Sequence, residues 1–159
     1  GLVGSEMCIR DRIHGRHVRV LYIPAEIDTG FPGLNQVVRI MRIFKIPKRY
    51  RKMIRSLWKE IEGYKVFHIK INREEITIDV GKDYEDEFEA RMRACMQDVE
   101  DVDKEKAEEG CLEGVLDEIS SIWAEDRRYL DRIMEKYGFE KGECNWEELL
   151  TSCVYTLKL

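Results

Sequence analysis

The sequence lacks most of the features that assign a chain to a familiar class. No apolar run approaches the roughly 18 residues of a membrane helix, because residues 37–46, the longest candidate, include Arg39, Arg42 and Lys45. No P-loop, G-x-G-x-x-G or G-x-S-x-G pattern occurs, so no nucleotide-binding loop or nucleophile elbow is recognisable. The five cysteines contain no C-x-x-C pair and the three histidines are scattered, which excludes the usual zinc spacings. We therefore predict no cofactor, no metal site and no membrane span.

The cysteines also give no sign of a disulfide framework. The chain shows no signal-peptide pattern and its periodicity predicts long helices, whereas disulfide scaffolds are typical of small secreted domains. We therefore expect reduced thiols and a cytoplasmic location. Gln occurs only at positions 36 and 97, while Glu, Lys, Arg and Ile are abundant. That composition leans toward a thermophilic source, although five Cys and six Met oppose it.

The first twelve residues, GLVGSEMCIRDR, differ in character from the rest of the chain. The segment begins without Met, has no amphipathic period and lacks the charged and apolar regions of a signal peptide. It resembles the translated read-through of a sequencing adapter, as found at the ends of reading frames from metagenomic or transcriptomic assemblies. We therefore expect residues 1–12 to be a non-native segment and Cys8 to be left out of the cysteine count. Residues 13–159 are expected to form a single α+β domain, whose natural start could lie upstream of Ile13.

Charge is distributed unevenly along the chain. Residues 1–82 hold 17 Lys and Arg against 9 Asp and Glu, a net charge of +8. Residues 83–159 hold 10 and 23, a net charge of −13. The domain therefore divides into a basic mixed α/β part, residues 13–82, and an acidic helical part, residues 83–159. Such an asymmetry indicates a basic surface whose partner is a polyanion, an acidic protein or the chain's own other half.

Hydrophobic periodicity in the basic part predicts a small antiparallel sheet and a helix pair. Residues 17–23 are β-branched and aromatic, which is typical of a strand. Apolar residues then recur at helical spacing over residues 34–62, and Pro47 divides this stretch into two helices. Two alternating runs within residues 65–80 predict a hairpin whose apolar side chains share one face. We expect about three strands in all.

The acidic part returns to a helical period. Residues 84–137 predict a long antiparallel helix pair that is interrupted at Gly110. Asn145 followed three residues later by Glu148 predicts the start of a short final helix at Trp146. The residues that follow, VYTLKL, fit either a continuation of that helix or an edge strand.

The basic helix pair carries the strongest functional signal. No acidic residue occurs between Asp28 and Glu60, and the second helix has cations at spacings of four, three and four residues, opposite its apolar stripe. A row of this kind suits phosphate neutralisation, with Arg as a bidentate donor and Lys as a point charge. We predict a nucleic-acid-binding surface formed by Arg42, Lys45, Lys48, Arg49, Lys52, Arg55 and Lys59.

The order of elements supports this prediction. A helix, a tight connection, a basic helix and a hairpin follow one another, a layout similar to that of winged helix-turn-helix proteins, in which the second helix enters the major groove. The connection at Ile46–Pro47 lacks the glycine often found there, and Lys70, Arg73 and Glu74 would lie at the wing. We therefore predict a non-enzymatic, winged-helix-like regulator that binds DNA or RNA. A homodimer formed through helices 84–137 is a further expectation.

Two alternatives stay open. The first is a protein-interaction subunit whose basic helix docks on an acidic partner, or a cationic face that is merely solvated or packs on the chain's own acidic helices. The second is a small enzyme, for which His68, opposite Asp79 or Thr77, and Cys111, at a predicted helix start, are weak candidates.

Two possible metal sites are weaker still. The acidic run at residues 98–109 has Asp103 where a calcium loop needs glycine, so a solvated helix end is favoured. His14 and His17 would supply only two ligands.

Overall fold

The structure is a computed structural model that describes residues 7–13, 16–22, 26–30, 33–100 and 103–159. Four helices and seven strands occur in these ranges, which confirms the predicted α+β class. In chain order they are β1 (Met7–Ile13), β2 (Arg16–Tyr22), β3 (Glu26–Asp28), α1 (Leu34–Ile43), α2 (Lys48–Glu60), β4 (Lys65–Asn72), β5 (Glu75–Asp83), α3 (Glu85–Met96), α4 (Lys104–Lys136), β6 (Glu140–Glu147) and β7 (Leu150–Lys158).

Five of the strands form one antiparallel sheet with the order β3-β4-β5-β7-β6, while β1 and β2 pair in a separate two-stranded sheet. The predicted hairpin at residues 65–80 is present as β4 and β5. Its strands lie inside the sheet, because β3 flanks β4 and β7 flanks β5. The antiparallel sheet is therefore confirmed, whereas the expectation of about three strands is too low. The strand predicted at residues 17–23 corresponds to β2, and Ile23 lies outside the described residues.

One face of the five-stranded sheet forms half of the hydrophobic core. Side chains along β5 and β7 alternate between buried and half-buried, as the two-residue period of a strand requires. Helices α1, α2 and α4, together with residues of the connecting turns, contribute the other buried side chains to the same cluster. The sheet also needs a glycine at one point, because a Cβ on Gly81 would lie 1.8 Å from the carbonyl oxygen of Thr151.

The C-terminal segment is a hairpin and not a helix, so the prediction of a helix starting at Trp146 is wrong. Trp146 belongs to β6, and Glu148 lies in the turn between β6 and β7 with φ of 54°. The following strand alternates in burial, which is the signal that outweighs the capping pair of Asn145 and Glu148. Its buried members are Thr151, Cys153, Tyr155 and Leu157.

The two predicted helix pairs are both present. Helices α3 and α4 are antiparallel, since Cys95 contacts Cys111 while the earlier residue Arg91 contacts the later residue Glu118. The predicted break at Gly110 is wrong, because α4 continues through it as a single helix of 33 residues. A glycine inside a helix costs only about 1 kcal/mol relative to alanine, an amount that packing elsewhere on a long helix offsets.

The structure contradicts the expectation of reduced thiols. Cys95 forms a disulfide with Cys111 across the α3–α4 pair, and Cys144 forms one with Cys153 across β6 and β7. Spacings of 16 and 9 residues resemble no disulfide scaffold in the sequence alone, and only the antiparallel pairing of the elements brings each pair together.

Among the described helices, none is long and apolar enough to cross a membrane.

Tyrosine hydroxyls and carboxylates attach the C-terminal half of α4 to the sheet. Tyr84 donates a hydrogen bond to Asp126 Oδ2 at 2.6 Å, and Lys82 Nζ lies 3.0 Å from the same oxygen. Tyr64 donates to the backbone carbonyl of Asp126 at 2.8 Å. Burial, followed by the negative charges of Asp126 and Asp131, raises the pKa of Tyr64 to about 12. These contacts orient α4 and were not predicted from the sequence.

Candidate nucleic-acid interface

The apolar faces of α1 and α2 fix which side of each helix meets solvent. Helix α1 buries Val37, Val38, Ile40 and Met41, and α2 buries Ile54 and Leu57 in the same core. Because an amphipathic helix places its polar residues opposite its apolar stripe, the cations are directed outward. The two helices therefore present a basic surface on a base that is anchored to the sheet.

The predicted site residues lie on α1, on α2 or in the turn between them, and all seven are exposed. None of them forms an ion pair with a residue in the described part of the chain. We call this set the basic surface: Arg42, Lys45, Lys48, Arg49, Lys52, Arg55 and Lys59.

The only carboxylate of α2, Glu60, is directed to α4. Lys136 Nζ lies 2.9 Å from Glu60 Oε1, and the Tyr137 hydroxyl donates to Glu60 Oε2. These two hydrogen bonds lower the pKa of Glu60, and the bond from Tyr137 has the larger effect. The one acidic group on the helix is thus occupied at its C-terminal end and does not neutralise the basic surface.

The turn between α1 and α2 places Lys45 in a backbone conformation that favours glycine. Lys45 has φ of 56°, its N–H donates to the carbonyl of Arg42, and the N–H of Ile46 donates to the carbonyl of Met41. This pair of bonds is the Schellman helix ending, whose left-handed position is usually occupied by glycine. A lysine at that position is conformationally costly, by about 1 kcal/mol, and it directs a cation to the edge of the basic surface.

Aromatic residues on α2 take a structural role. Tyr50 and Trp58 are half-buried and pack against the core, in agreement with their predicted place on the apolar stripe. The guanidinium of Arg49 lies 4.8 Å from the centroid of the Tyr50 ring, and its Nη2 lies 3.3 Å from the Tyr50 hydroxyl. This contact orients one cation of the basic surface and leaves it without a carboxylate partner among the described residues.

Two of the three predicted wing residues, Arg73 and Glu74, lie at the β4–β5 turn. Asn72 Oδ1 accepts hydrogen bonds from the N–H groups of Glu74 and Glu75, both at 2.8 Å. Arg73 and Glu74 are exposed, whereas Lys70 is half-buried on β4. The helix–helix–hairpin order is present, but the hairpin forms the middle of a larger sheet.

The candidate catalytic groups are not brought together. His68 stands opposite Asp79 in the strand register, but its Nε2 contacts Asp28 on β3. Cys111 is held in a disulfide. His14 lies outside the described residues, and the helix α4 that begins at Lys104 covers the second half of the acidic run at 98–109.

No group of three or more potential metal ligands occurs among the described residues. One carboxylate oxygen, Asp79 Oδ1, is buried without a hydrogen-bond partner within the described ranges.

No known protein family, curated protein or solved structure matches the chain. The function is therefore inferred from the basic surface itself.

Proposed function

We propose that the protein is a non-enzymatic nucleic-acid-binding protein that contacts the phosphate backbone through the basic surface. The observation that carries the proposal is that seven exposed cations share one surface and form no ion pair with the described residues. Unpaired cations cost little to bring to a polyanion, because no internal salt bridge has to be broken first. The winged-helix-like layout, with α2 as the recognition helix, is part of this proposal.

The length of the cationic row supports a backbone contact. Lys48 and Lys59 are eleven residues apart on α2, which corresponds to about 16 Å at 1.5 Å per residue. Along a duplex, each strand presents one phosphate per about 3.4 Å of axis. A row of this length therefore matches about five phosphates.

Charge reversal with a matched control tests the proposal. We expect Lys52→Glu combined with Arg55→Glu to weaken binding to an unrelated DNA duplex on the order of 100-fold. Both side chains are exposed, so circular dichroism should show an unchanged fold. The control, Arg128→Glu with Lys158→Glu, makes the same change in net charge at exposed positions elsewhere and should bind within a few-fold of the unmodified protein.

Equal binding by the two variants would contradict the proposal, as would failure of the unmodified protein to bind DNA and RNA at low salt. Loss of the fold in the first variant would instead show that the basic residues stabilise the chain.

A cytoplasmic location is part of the same proposal. Disulfides are rare in cytosolic proteins of mesophiles, but intracellular proteins of hyperthermophiles are often rich in them. The composition leans in that direction, as described above. Thiol titration of protein extracted under alkylating conditions tests whether the disulfides are formed in the source cell. If the thiols of all four residues are alkylated, they were free in the source cell, which would contradict the pairing of Cys95, Cys111, Cys144 and Cys153.

A further inference from the structure

The N-terminal half of α4 packs against α3 on one side and is exposed on the other. From Asp103 to Glu118 it holds seven acidic and two basic residues, and all seven acids are exposed. Only Glu118 forms an ion pair with a described residue, Arg91. Leu112, with 42% of its surface exposed, lies one turn from Glu108 and Glu109 on the same face. An exposed leucine among carboxylates suits a protein contact.

The neighbouring helix α3 leaves this region similarly uncovered. Helix α3 buries no residue, and it is held to α4 by half-buried Phe88 and Met92 and by the Cys95–Cys111 disulfide. A groove of about 700 Å³ opens near the end of the pair and is lined partly by Ala90, Ala94 and Val99. We call the exposed face of α4 around Glu105, Glu108, Glu109 and Leu112 the acidic arm.

Within one molecule the acidic arm and the basic surface are far apart. Glu105 is separated from Lys136 by 31 residues of one helix, about 46 Å. Helix α2 meets the far end of α4, where Glu60 contacts Lys136, and Lys48 is only about 18 Å from Glu60 along α2. Even if α2 were aimed at the arm, more than the Debye length of about 8 Å would separate the two surfaces. The two complementary surfaces therefore remain unneutralised by each other.

We propose that the acidic arm of one copy docks on the basic surface of a second copy. Opposite charges on the two surfaces argue for this occupant, because each copy supplies both halves of the contact. The contact joins two different patches, so it is head-to-tail and adds copies in a chain or ring. The proposal rests on the exposure of the basic surface, and nucleic acid is expected to compete for that same surface.

Two charge-reversal variants test the contact by complementation. Glu105→Lys with Glu109→Lys reverses two charges of the acidic arm. Lys52→Glu with Arg55→Glu reverses two charges of the basic surface. Sedimentation velocity at low salt should show self-association of the unmodified protein and association at least about tenfold weaker for each variant alone. An equimolar mixture should associate again, because one variant retains the arm and the other retains the basic surface. The matched control, Glu140→Lys with Glu143→Lys on exposed positions of β6, should self-associate like the unmodified protein.

Three results would overturn the proposal: no self-association of the unmodified protein at low salt, unchanged association of either variant, or failure of two folded variants to associate when mixed. The outcome is separable from nucleic-acid binding, because the arm variant keeps the basic surface. It should bind duplex DNA at least as tightly as the unmodified protein. If DNA binding is absent while complementation succeeds, the basic surface recognises the second copy and not a nucleic acid.

Discussion

The two helix pairs carry opposite charge, and they are attached to the protein in different ways. Helices α1 and α2 each bury residues in the core between the helices and the sheet. In the acidic pair only α4 does so, while α3 buries none. The basic charge therefore lies on two helices that can move only if the core unfolds. The acidic charge lies on a pair in which α4 alone is anchored in the core. The rigid presentation of charge thus belongs to the surface that we propose for binding.

The largest expected difference between the pairs is in core packing. Ile54→Ala on α2 removes a fully buried side chain and should lower the free energy of unfolding by about 2–5 kcal/mol. Met92→Ala on α3 removes a half-buried one and should cost about 1 kcal/mol or less. Urea denaturation monitored by circular dichroism measures both. Equal costs would show that α3 is part of the core.

Removal of the arm's disulfide should have a smaller and local effect. Cys95→Ala with Cys111→Ala opens a loop of 16 residues, for which the loss is about 3 kcal/mol at most. Because α3 buries no residue, we expect faster amide hydrogen exchange in α3 and the start of α4, with α2 unchanged. Faster exchange in α2 as well would mean that the two pairs are coupled.

Alkaline pH should loosen the end of α4 that α2 contacts before it affects the arm. Burial raises the pKa of Tyr64 to about 12 and also raises the pKa values of Tyr84 and Tyr155 above the usual 10. The contribution of these neutral hydroxyls is fully present below pH 10 and is lost as the pH rises through the folded-state values. For Tyr64 the loss falls between about pH 10 and 12. In Tyr64→Phe the free energy of unfolding should fall less steeply over this range, and an unchanged slope would contradict the assignment.

The smallest expected effect compares the ends of α1 and α4, which share one backbone geometry. Lys45 and Gly138 both have positive φ, 56° and 86°, and both occupy the left-handed position of a Schellman ending. Lys45→Gly should raise the free energy of unfolding by about 1 kcal/mol while weakening nucleic-acid binding a few-fold. Gly138→Ala should lower it by a similar amount, since the added Cβ would also meet Leu157 at 3.3 Å. Destabilisation by Lys45→Gly would show that the lysine side chain supports the turn.

Local patterns sufficed to predict the basic helix pair and the β4–β5 hairpin. The starts of α1 at Leu34 and α2 at Lys48 agree with the predicted helix pair at residues 34–62, because apolar spacing and Pro47 are local signals. The pairing of β5 with β7 was not predictable in the same way, since Glu75 pairs with Lys158 at the other end of the sequence. The helix expected at Trp146 failed because a capping pair was weighed above a weaker alternation in the following residues.

The composition of the candidate site was predictable, whereas its backbone and covalent links were not. The cationic row opposite an apolar stripe implies an exposed surface whatever the fold, and all seven residues are exposed. The strained turn at Lys45 carries no sequence signal, since the position lacks the expected glycine. The disulfides depend on which elements become neighbours. One of them joins residues 144 and 153 across a hairpin, where a helix was predicted.

The salt dependence of duplex binding is the decisive test of a phosphate contact by the basic surface. If the basic surface neutralises about five phosphates, log Kd should rise linearly with log salt concentration with a slope near 4 to 5. The Lys52→Glu and Arg55→Glu variant should lose both the affinity and most of that slope, and the Arg128→Glu and Lys158→Glu control should keep both. A flat salt response, or the same slope in both variants, would contradict the account.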